Sequence, residues 1–404
     1  MTNRITRARP LAALLAAAAT ATLAGPAAAQ TGATPAAPDY GAYTQGIFIP
    51  FVSTQPPGQP FTNAVQLSFS AGGAPRRVTM DTGSTGVMIS SLLLPGYTPT
   101  AADSAGWEFL SSSKLLFRGH WVPRDLVFMD GQGRRLATAH VPVLAVDSVI
   151  TCPRFDMASG TCPDPSGAKV DSTTVYMGVG FGREHNGQTQ GTPDKNPFLN
   201  LTRIGDTPVQ RGSFRPGYVI TRTGVHLGLT PANTANFVYE RLTAGAYGTM
   251  DWNGAPICLQ VNASPCVAGS VLVDTGIEQM YLTVTPRIPV DTVPRPNPSR
   301  HGASVGALAD GSQVTVRFPG AASPVAHYTF RVGDTGNPMQ PTIAIPSIVD
   351  TTATFVNTGR HFLRDFDVLF DAQGGWFGLR WTGPVPSRFG GVTPPATAAR
   401  RYER

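Results

Sequence analysis

The chain has 404 residues, 41% of them hydrophobic, so it can bury a sizeable core, as two to three domains or one large two-lobed enzyme. Its 44 glycines and 37 prolines exclude a helical bundle or coiled coil and favour short strands joined by turns, while only 14% charged residues excludes a long disordered polyelectrolyte. The formal charge is +6, but Arg4, Arg7 and Arg9 carry three of those charges in the first ten residues and no basic run is interleaved with aromatics, so a nucleic-acid partner is not expected.

In chain order, residues 1–29 read as a secretory signal peptide. Three arginines precede an Ala- and Leu-rich stretch at 11–23, Gly25-Pro26 breaks it, and Ala27-Ala28-Ala29 supplies small residues for cleavage before Gln30. The apolar stretch is too short for a stable membrane anchor. Residues 30–45 read as a flexible leader. Residues 64–69 alternate apolar and polar side chains, as a half-buried strand does, and Arg77-Val78-Thr79-Met80 alternates again after the turn at 71–75. Two apolar runs around Gly119 and Pro123 predict a hairpin region over 115–128. Residues 139–146 predict a strand that Pro142 places at a sheet edge. Asn196 followed by Pro197 predicts a short helix to Leu201. A second short helix is expected at 361–366, then a closing hairpin from Asp367 to Leu379, and a loose tail over 383–404.

Four cysteines allow three pairings. In an oxidising compartment the economical one closes two local loops, Cys152–Cys162 and Cys258–Cys266. Neither pair has zinc-finger spacing, and His120, His140, His185, His226, His301, His327 and His361 share no spacing, so no metal or cofactor is expected.

Two segments carry the chemistry. Val78-Thr79-Met80-Asp81-Thr82-Gly83-Ser84 and Val271-Leu272-Val273-Asp274-Thr275-Gly276-Ile277 are each an apolar strand running into Asp-Thr-Gly and then into a further apolar strand. A carboxylate on a loop held by a rigid sheet is a usual place for catalysis. Asp81 and Asp274 are 193 positions apart (274 minus 81), a spacing that suits two lobes each giving one carboxylate to a shared cleft. A third copy, Asp334-Thr335-Gly336, lies between Gly333 and Asn337-Pro338 and reads as a surface turn. Gly302-Ala303-Ser304-Val305-Gly306 matches the letters of a serine-nucleophile elbow, but it follows a Pro-rich stretch rather than a strand and reads as a chance match.

In these segments, from about residue 46 to 382, the chain resembles the pepsin-like aspartic peptidases. Further segments match in order: Tyr176-Met177-Gly178 with Val179-Gly180-Phe181-Gly182, the stretch 196–201, the Cys258–Cys266 loop before the second motif, and Gly359 with 362–370 and 376–379. The resemblance implies an all-β, bilobed fold with β-barrel-like lobes around a central cleft, an N-terminal lobe over 46–215 and a C-terminal lobe over 216–382. It implies a water activated between Asp81 and Asp274, which share one proton because two close carboxylates do not both ionise cheaply. Thr82 and Thr275 would brace the loops, with Gly83 and Gly276 at their turns, and Ser84 would bond the outer oxygen of Asp81.

Three departures accompany it. Ile277 stands where the family has a hydroxyl, so Asp274 is expected to lose its outer hydrogen bond and rise in pKa. Glu278 beside it is expected to face solvent. No Tyr lies between Tyr97 and Tyr176, so the substrate-covering hairpin would carry Trp107 or Trp121 in place of the family's Tyr; residues 30–45 are also too short for a folded prosegment. The expectation is a secreted or periplasmic monomer that hydrolyses peptide or unfolded-protein substrates at acidic pH. The alternatives are a catalytically impaired pepsin-fold protein that binds peptide or glycan, and a secreted structural β-protein without a cleft.

Overall fold

The computed structural model describes residues 37–53, 61, 63–111, 113–183, 190–283, 285, 288–299, 302–346, 353–385 and 387–393. The expected signal peptide at 1–29, the leader before residue 37, His185, His301 and the tail from 394 lie outside the described residues. From Ala37 onward the chain forms one unit by its contacts. Nearly all of its regular structure is β; the α-helix Pro231–Thr234 has four residues. No helix among the described residues is long and apolar enough to cross a membrane.

Three large sheets build the unit. A ten-stranded sheet is drawn from residues 66–208 and an eight-stranded sheet from 255–392. A six-stranded sheet takes its strands from the beginning, middle and end of the chain, in the order Ile47–Pro50, Gly224–Leu227, Gly217–Ile220, Phe366–Asp371, Trp376–Trp381 and Val238–Arg241. Alternation dictates which side chains enter the core: Leu67 and Phe69 on one strand and Val78 and Met80 on the next are buried between polar neighbours. Tyr218 of the six-stranded sheet is fully buried against Phe198 and Phe370, and its hydroxyl donates to the Val179 carbonyl.

One arrangement occurs twice. Strand Arg76–Asp81 runs into the first Asp-Thr-Gly turn, strand Thr85–Ser90 leaves it, and Val175–Val179 lies between the two, parallel to the first and antiparallel to the second. Val267–Leu272 leads to the second turn and Met280–Thr283 follows it, with Thr354–Asn357 again between them in the same senses. Each turn is thereby held by a third strand from much later in the chain.

Several local expectations are corrected. Residues 115–128 are not a hairpin. Leu115–Met129 is one long strand between Ser104–Leu110 and Arg135–Thr151, bulged at Arg118/Gly119. Pro142 does not mark a sheet edge. It sits inside Arg135–Thr151 opposite Pro123, a pair in which neither residue has an N–H to offer. Its other flank falls where pairing with Leu201–Ile204 has ended at Ala139 and pairing with Thr85–Ser90 begins only at Val143. Asn196 starts no helix. Its amide donates to the Val179 and Gly180 carbonyls and its oxygen accepts the Phe198 N–H, which fixes a turn; the short 3-10 helix Pro193–Lys195 precedes it. The second short helix is the 3-10 turn Arg360–Arg364, followed by the closing hairpin Phe366–Asp371 and Trp376–Trp381. The described part of the leader is tied down: Tyr40 is buried, with its hydroxyl on Asp371. The expected loose tail returns to the sheet as strand Gly390–Val392. Both local disulfides are present, with Cα–Cα distances of 5.9 Å for Cys152–Cys162 and 5.6 Å for Cys258–Cys266.

Candidate active site

The two repeated turns meet. The Thr82 N–H donates to Thr275 Oγ1 at 3.1 Å and the Thr275 N–H donates to Thr82 Oγ1 at 3.0 Å. Each hydroxyl then donates to the carbonyl preceding the opposite aspartate, Thr82 to Val273 and Thr275 to Met80. Both threonines are buried, so no water competes for these bonds. The carboxyls they bring together are also buried, Asp81 at 3% and Asp274 at 6% exposure, and share a hydrogen bond. Within each loop the Gly N–H donates to an aspartate oxygen, Gly83 to Asp81 Oδ1 at 2.6 Å and Gly276 to Asp274 Oδ1 at 2.8 Å. Only glycine permits this approach, because a Cβ on Gly83 would stand 2.6 Å from Asp274 Oδ2 and one on Gly276 would collide with Asp81 Oδ1.

The outer oxygens have donors of their own. Asp81 Oδ2 accepts from Ser84 Oγ and from the Tyr176 hydroxyl, each at 2.6 Å. Ile277 cannot do for Asp274 what Ser84 does for Asp81. The expected loss of the outer bond nevertheless does not occur, because Asn357 Nδ2 donates to Asp274 Oδ2 at 2.6 Å. Burial, followed by the charge of Asp81, pushes the Asp274 carboxyl up to about 7, against the lowering effect of Asn357 and Arg183. The rise therefore has a different cause from the missing hydroxyl.

Two arginines clamp the loops from behind. Arg183 Nε donates to the Gly83 carbonyl at 2.8 Å; Arg360 donates from Nε to the Thr275 carbonyl at 3.0 Å and from Nη2 to that of Gly276 at 2.8 Å. A third carboxyl, Glu108, is 4% exposed, and its Oε1 has no hydrogen-bond partner. Burial, then the charge of Asp81, pushes it up to about 8, opposed by Arg183 and Lys195.

The two tryptophans separate. Trp121 packs with Tyr176 on the cluster around Met88 and Leu144, places its ring 5.2 Å from Lys195 Nζ and donates from Nε1 to Gln190 Oε1 at 2.8 Å. Trp107 turns to the opposite cluster, edge-on to Phe155 at 4.8 Å beside the Cys152–Cys162 loop. Glu278 does not simply face solvent. It is half-buried, lines a cavity of about 520 Å³ with Arg295, Asp310 and Gln340, and acts electrostatically on Arg360. Asp334-Thr335-Gly336 is a turn whose Gly336 N–H donates to Asp334, and Ser304 opens a hairpin strand with its hydroxyl on the Arg295 carbonyl.

Tyr176, Asn357, Arg183, Arg360 and Glu108 were not singled out from the sequence as site residues. Tyr176 reads there as one apolar position of a buried strand, and Asn357 carries no local signal at all. What reveals both is strand pairing across 95 residues to Asp81 and 83 residues to Asp274. No protein-family model matches the chain, and no curated protein matches it.

Proposed function

We propose that this chain is an exported, pepsin-like aspartic endopeptidase, with the first and second large sheets as the bodies of two lobes. The observation that carries the reading is the reciprocal bonding of two Asp-Thr-Gly turns from different sheets, which puts two buried carboxyls in hydrogen-bond contact. Such a pair holds one proton, and its two apparent pKa values belong to the pair. Here the proton is weighted toward Asp274, while Asp81, with Gly83, Ser84 and Tyr176 all donating to it, is the better-stabilised carboxylate.

The reaction follows from that asymmetry. Asp81 takes a proton from a water held between the carboxyls, and the water oxygen bonds to the peptide carbonyl carbon. The proton on Asp274 passes to the carbonyl oxygen, giving a neutral tetrahedral diol. Proton transfer to the nitrogen then lets the C–N bond break into an acid and an amine. Neither metal nor cofactor enters these steps. Two disulfides suit an oxidising compartment outside the cytosol, in keeping with the signal peptide read at 1–29.

The test is cleavage of denatured casein between about pH 3 and 8, a range spanning dyad titration, by the wild-type chain, Asp81→Ala and Asp274→Ala, with and without a statine-type mimic of the tetrahedral intermediate. Each substitution is expected to lower the rate by at least about a thousand-fold, because it removes the base or the acid. Equal activity in either variant would overturn the dyad. The near-complete burial of both carboxyls favours a second reading, a closed cleft that binds peptide or glycan without turnover; a folded wild type that binds the mimic and never cleaves is its signature.

A further inference from the structure

The repeated arrangement of strands sets two residues in equivalent places. In the first sheet Tyr176 stands opposite Thr79, two residues before Asp81. In the second, Asn357 stands opposite Leu272, two residues before Asp274. Side chains alternate faces with period two, so each residue, paired two positions before an aspartate, lies on that aspartate's face of its own sheet. Each ends 2.6 Å from that aspartate's Oδ2. The two halves differ in how many donors reach the outer oxygen: Ser84 and Tyr176 in one, Asn357 alone in the other, since Ile277 has nothing to donate.

We infer that Tyr176 and Asn357 are a matched pair of positioning residues for the dyad, and that Asn357 takes the place of the hydroxyl that Ile277 lacks. The proposal rests on the peptidase reading and deepens it: the second loop is complete by a different route rather than impaired. Tyr176 is a permanent donor here, since burial and the charges of Asp81, Asp274 and Glu108 hold its hydroxyl well above the ordinary phenol range. Asn357 is a permanent donor because its amide does not titrate, and its Oδ1 accepts the Gly359 N–H, which fixes which end of the amide faces Asp274. The other charged groups acting on the pair are Glu108 from the Ser104–Leu110 strand, Arg183 behind the first loop, Arg360 behind the second, and Lys195 acting through Glu108. None of them donates to either outer oxygen in the described hydrogen bonds.

The two donors serve different members of the dyad, so their removal has different signatures. A hydrogen bond to a carboxylate favours its charged form. Tyr176→Phe keeps the ring and loses the donor to Asp81, so the acidic limb of the kcat/KM profile should move up by about one pH unit, the scale of one charge-assisted hydrogen bond. Asn357→Leu removes the donor to Asp274, so the alkaline limb should move up by a similar amount. Adding Ile277→Ser to Asn357→Leu should bring the alkaline limb back, and Ile277→Ser alone should lower it. KM should change little in all four, since neither donor is assigned to substrate.

The measurement is the pH–rate profile on denatured casein, paired with a 13C-carboxyl NMR titration of the full chain labelled at aspartate. Limbs and carboxyl titrations that stay in place while rates fall would overturn the pairing and leave Tyr176 and Asn357 as packing residues. Failure of Ile277→Ser to shift the alkaline limb in either background would overturn the substitution of Asn357 for the hydroxyl. The titration needs no turnover. A wild type that never cleaves therefore defeats the peptidase reading alone, while shifted Asp81 and Asp274 titrations in the variants still uphold the two donors. Should Asn357→Leu fail to fold, Ile277→Ser alone decides the second half.

Discussion

Protonation at individual residues is set by what each buried oxygen or nitrogen can reach. Asp81 reaches three donors; Glu240 reaches none. Both Glu240 oxygens lack a partner, and its side chain is 4% exposed on the Val238–Arg241 strand. Burial alone pushes it up to about 9. A carboxyl raised in the folded state contributes no penalty below its unfolded pKa, and costs stability as pH rises from there toward the folded value. Glu240→Gln keeps the shape and removes the ionisation. At pH 4 it should match wild type in urea unfolding; at pH 7 it should be more stable by about 3 kcal/mol, roughly 2.5 pH units at 1.36 kcal/mol each. An equal offset at both pH values would mean that packing, not ionisation, separates the two proteins.

Elements act here mainly by holding turns still. The Asp-Thr-Gly turns have little structure of their own and depend on strands to either side, on the arginine clamps and on the approach that glycine permits. Gly276→Ala should therefore abolish hydrolysis while leaving near-native thermal unfolding, because its new methyl meets the Asp81 carboxyl rather than the core. Full activity in that variant would show that the loops need not approach so closely. Asn196 plays the corresponding part behind the first loop: two hydrogen bonds from its amide tie the 196–198 turn to Val179 and Gly180 at the end of Val175–Val179, and its oxygen closes the turn on the Phe198 N–H. Asn196→Ala leaves the Val179 and Gly180 carbonyls without that amide and should cost about 2 to 3 kcal/mol in denaturant unfolding. This turn also explains why a capping-type Asn followed by Pro started no helix. The side chain found better partners on a strand already in place than a helix N-terminus could offer. Pro142 teaches a similar lesson, since a proline is barred only where a neighbour needs its N–H, and no neighbour there does.

For the whole molecule, opposed titrations bracket the working pH. His361 is 3% exposed beside Tyr328 and Phe330, and neither of its ring nitrogens has a partner. Burial, then the charge of Arg364, pulls it down to about 3. For a histidine depressed in this way the unfolded state binds the proton first, so stability present above about pH 6.5 is lost as pH falls toward 3. Glu108, Glu240 and Asp274, raised to about 8, 9 and 7, erode stability in the opposite direction as pH rises. Between about pH 4.5 and 6.5 the three raised carboxyls outweigh the one depressed histidine, so the melting temperature should peak at about pH 4, and His361→Phe should retain about 3 kcal/mol more than wild type at pH 4 relative to pH 7. A peptidase built this way would work in mild acid rather than at gastric pH, its rate falling on the alkaline side as the dyad loses its shared proton. An equal stability difference between His361→Phe and wild type at pH 7 and pH 4 would remove His361 from that account.

What the chain makes legible on its own is whatever depends on neighbours in sequence. Period-two alternation and dense Gly and Pro determine an all-β protein, cysteines ten and eight residues apart determine two local disulfides, and paired Asp-Thr-Gly motifs behind apolar strands mark the two turns. The decoys are legible for the same reason, since Val332-Gly333 separates Asp334 from the strand before it and an exposed Pro-rich stretch precedes Ser304. Only the tertiary structure decides that Tyr176 and Asn357 bond the outer oxygens, that Arg183 and Arg360 clamp the loops, and that Trp121 rather than Trp107 shares a cluster with Tyr176. The two bonds to the outer oxygens arise from strand register across 95 and 83 residues, and the arginine clamps from chain returning 100 and 84 to 85 residues later. They arise also from burial, which sets the cost of charging Asp274, Glu108 and His361 and is a property of the packed whole rather than of any stretch of sequence.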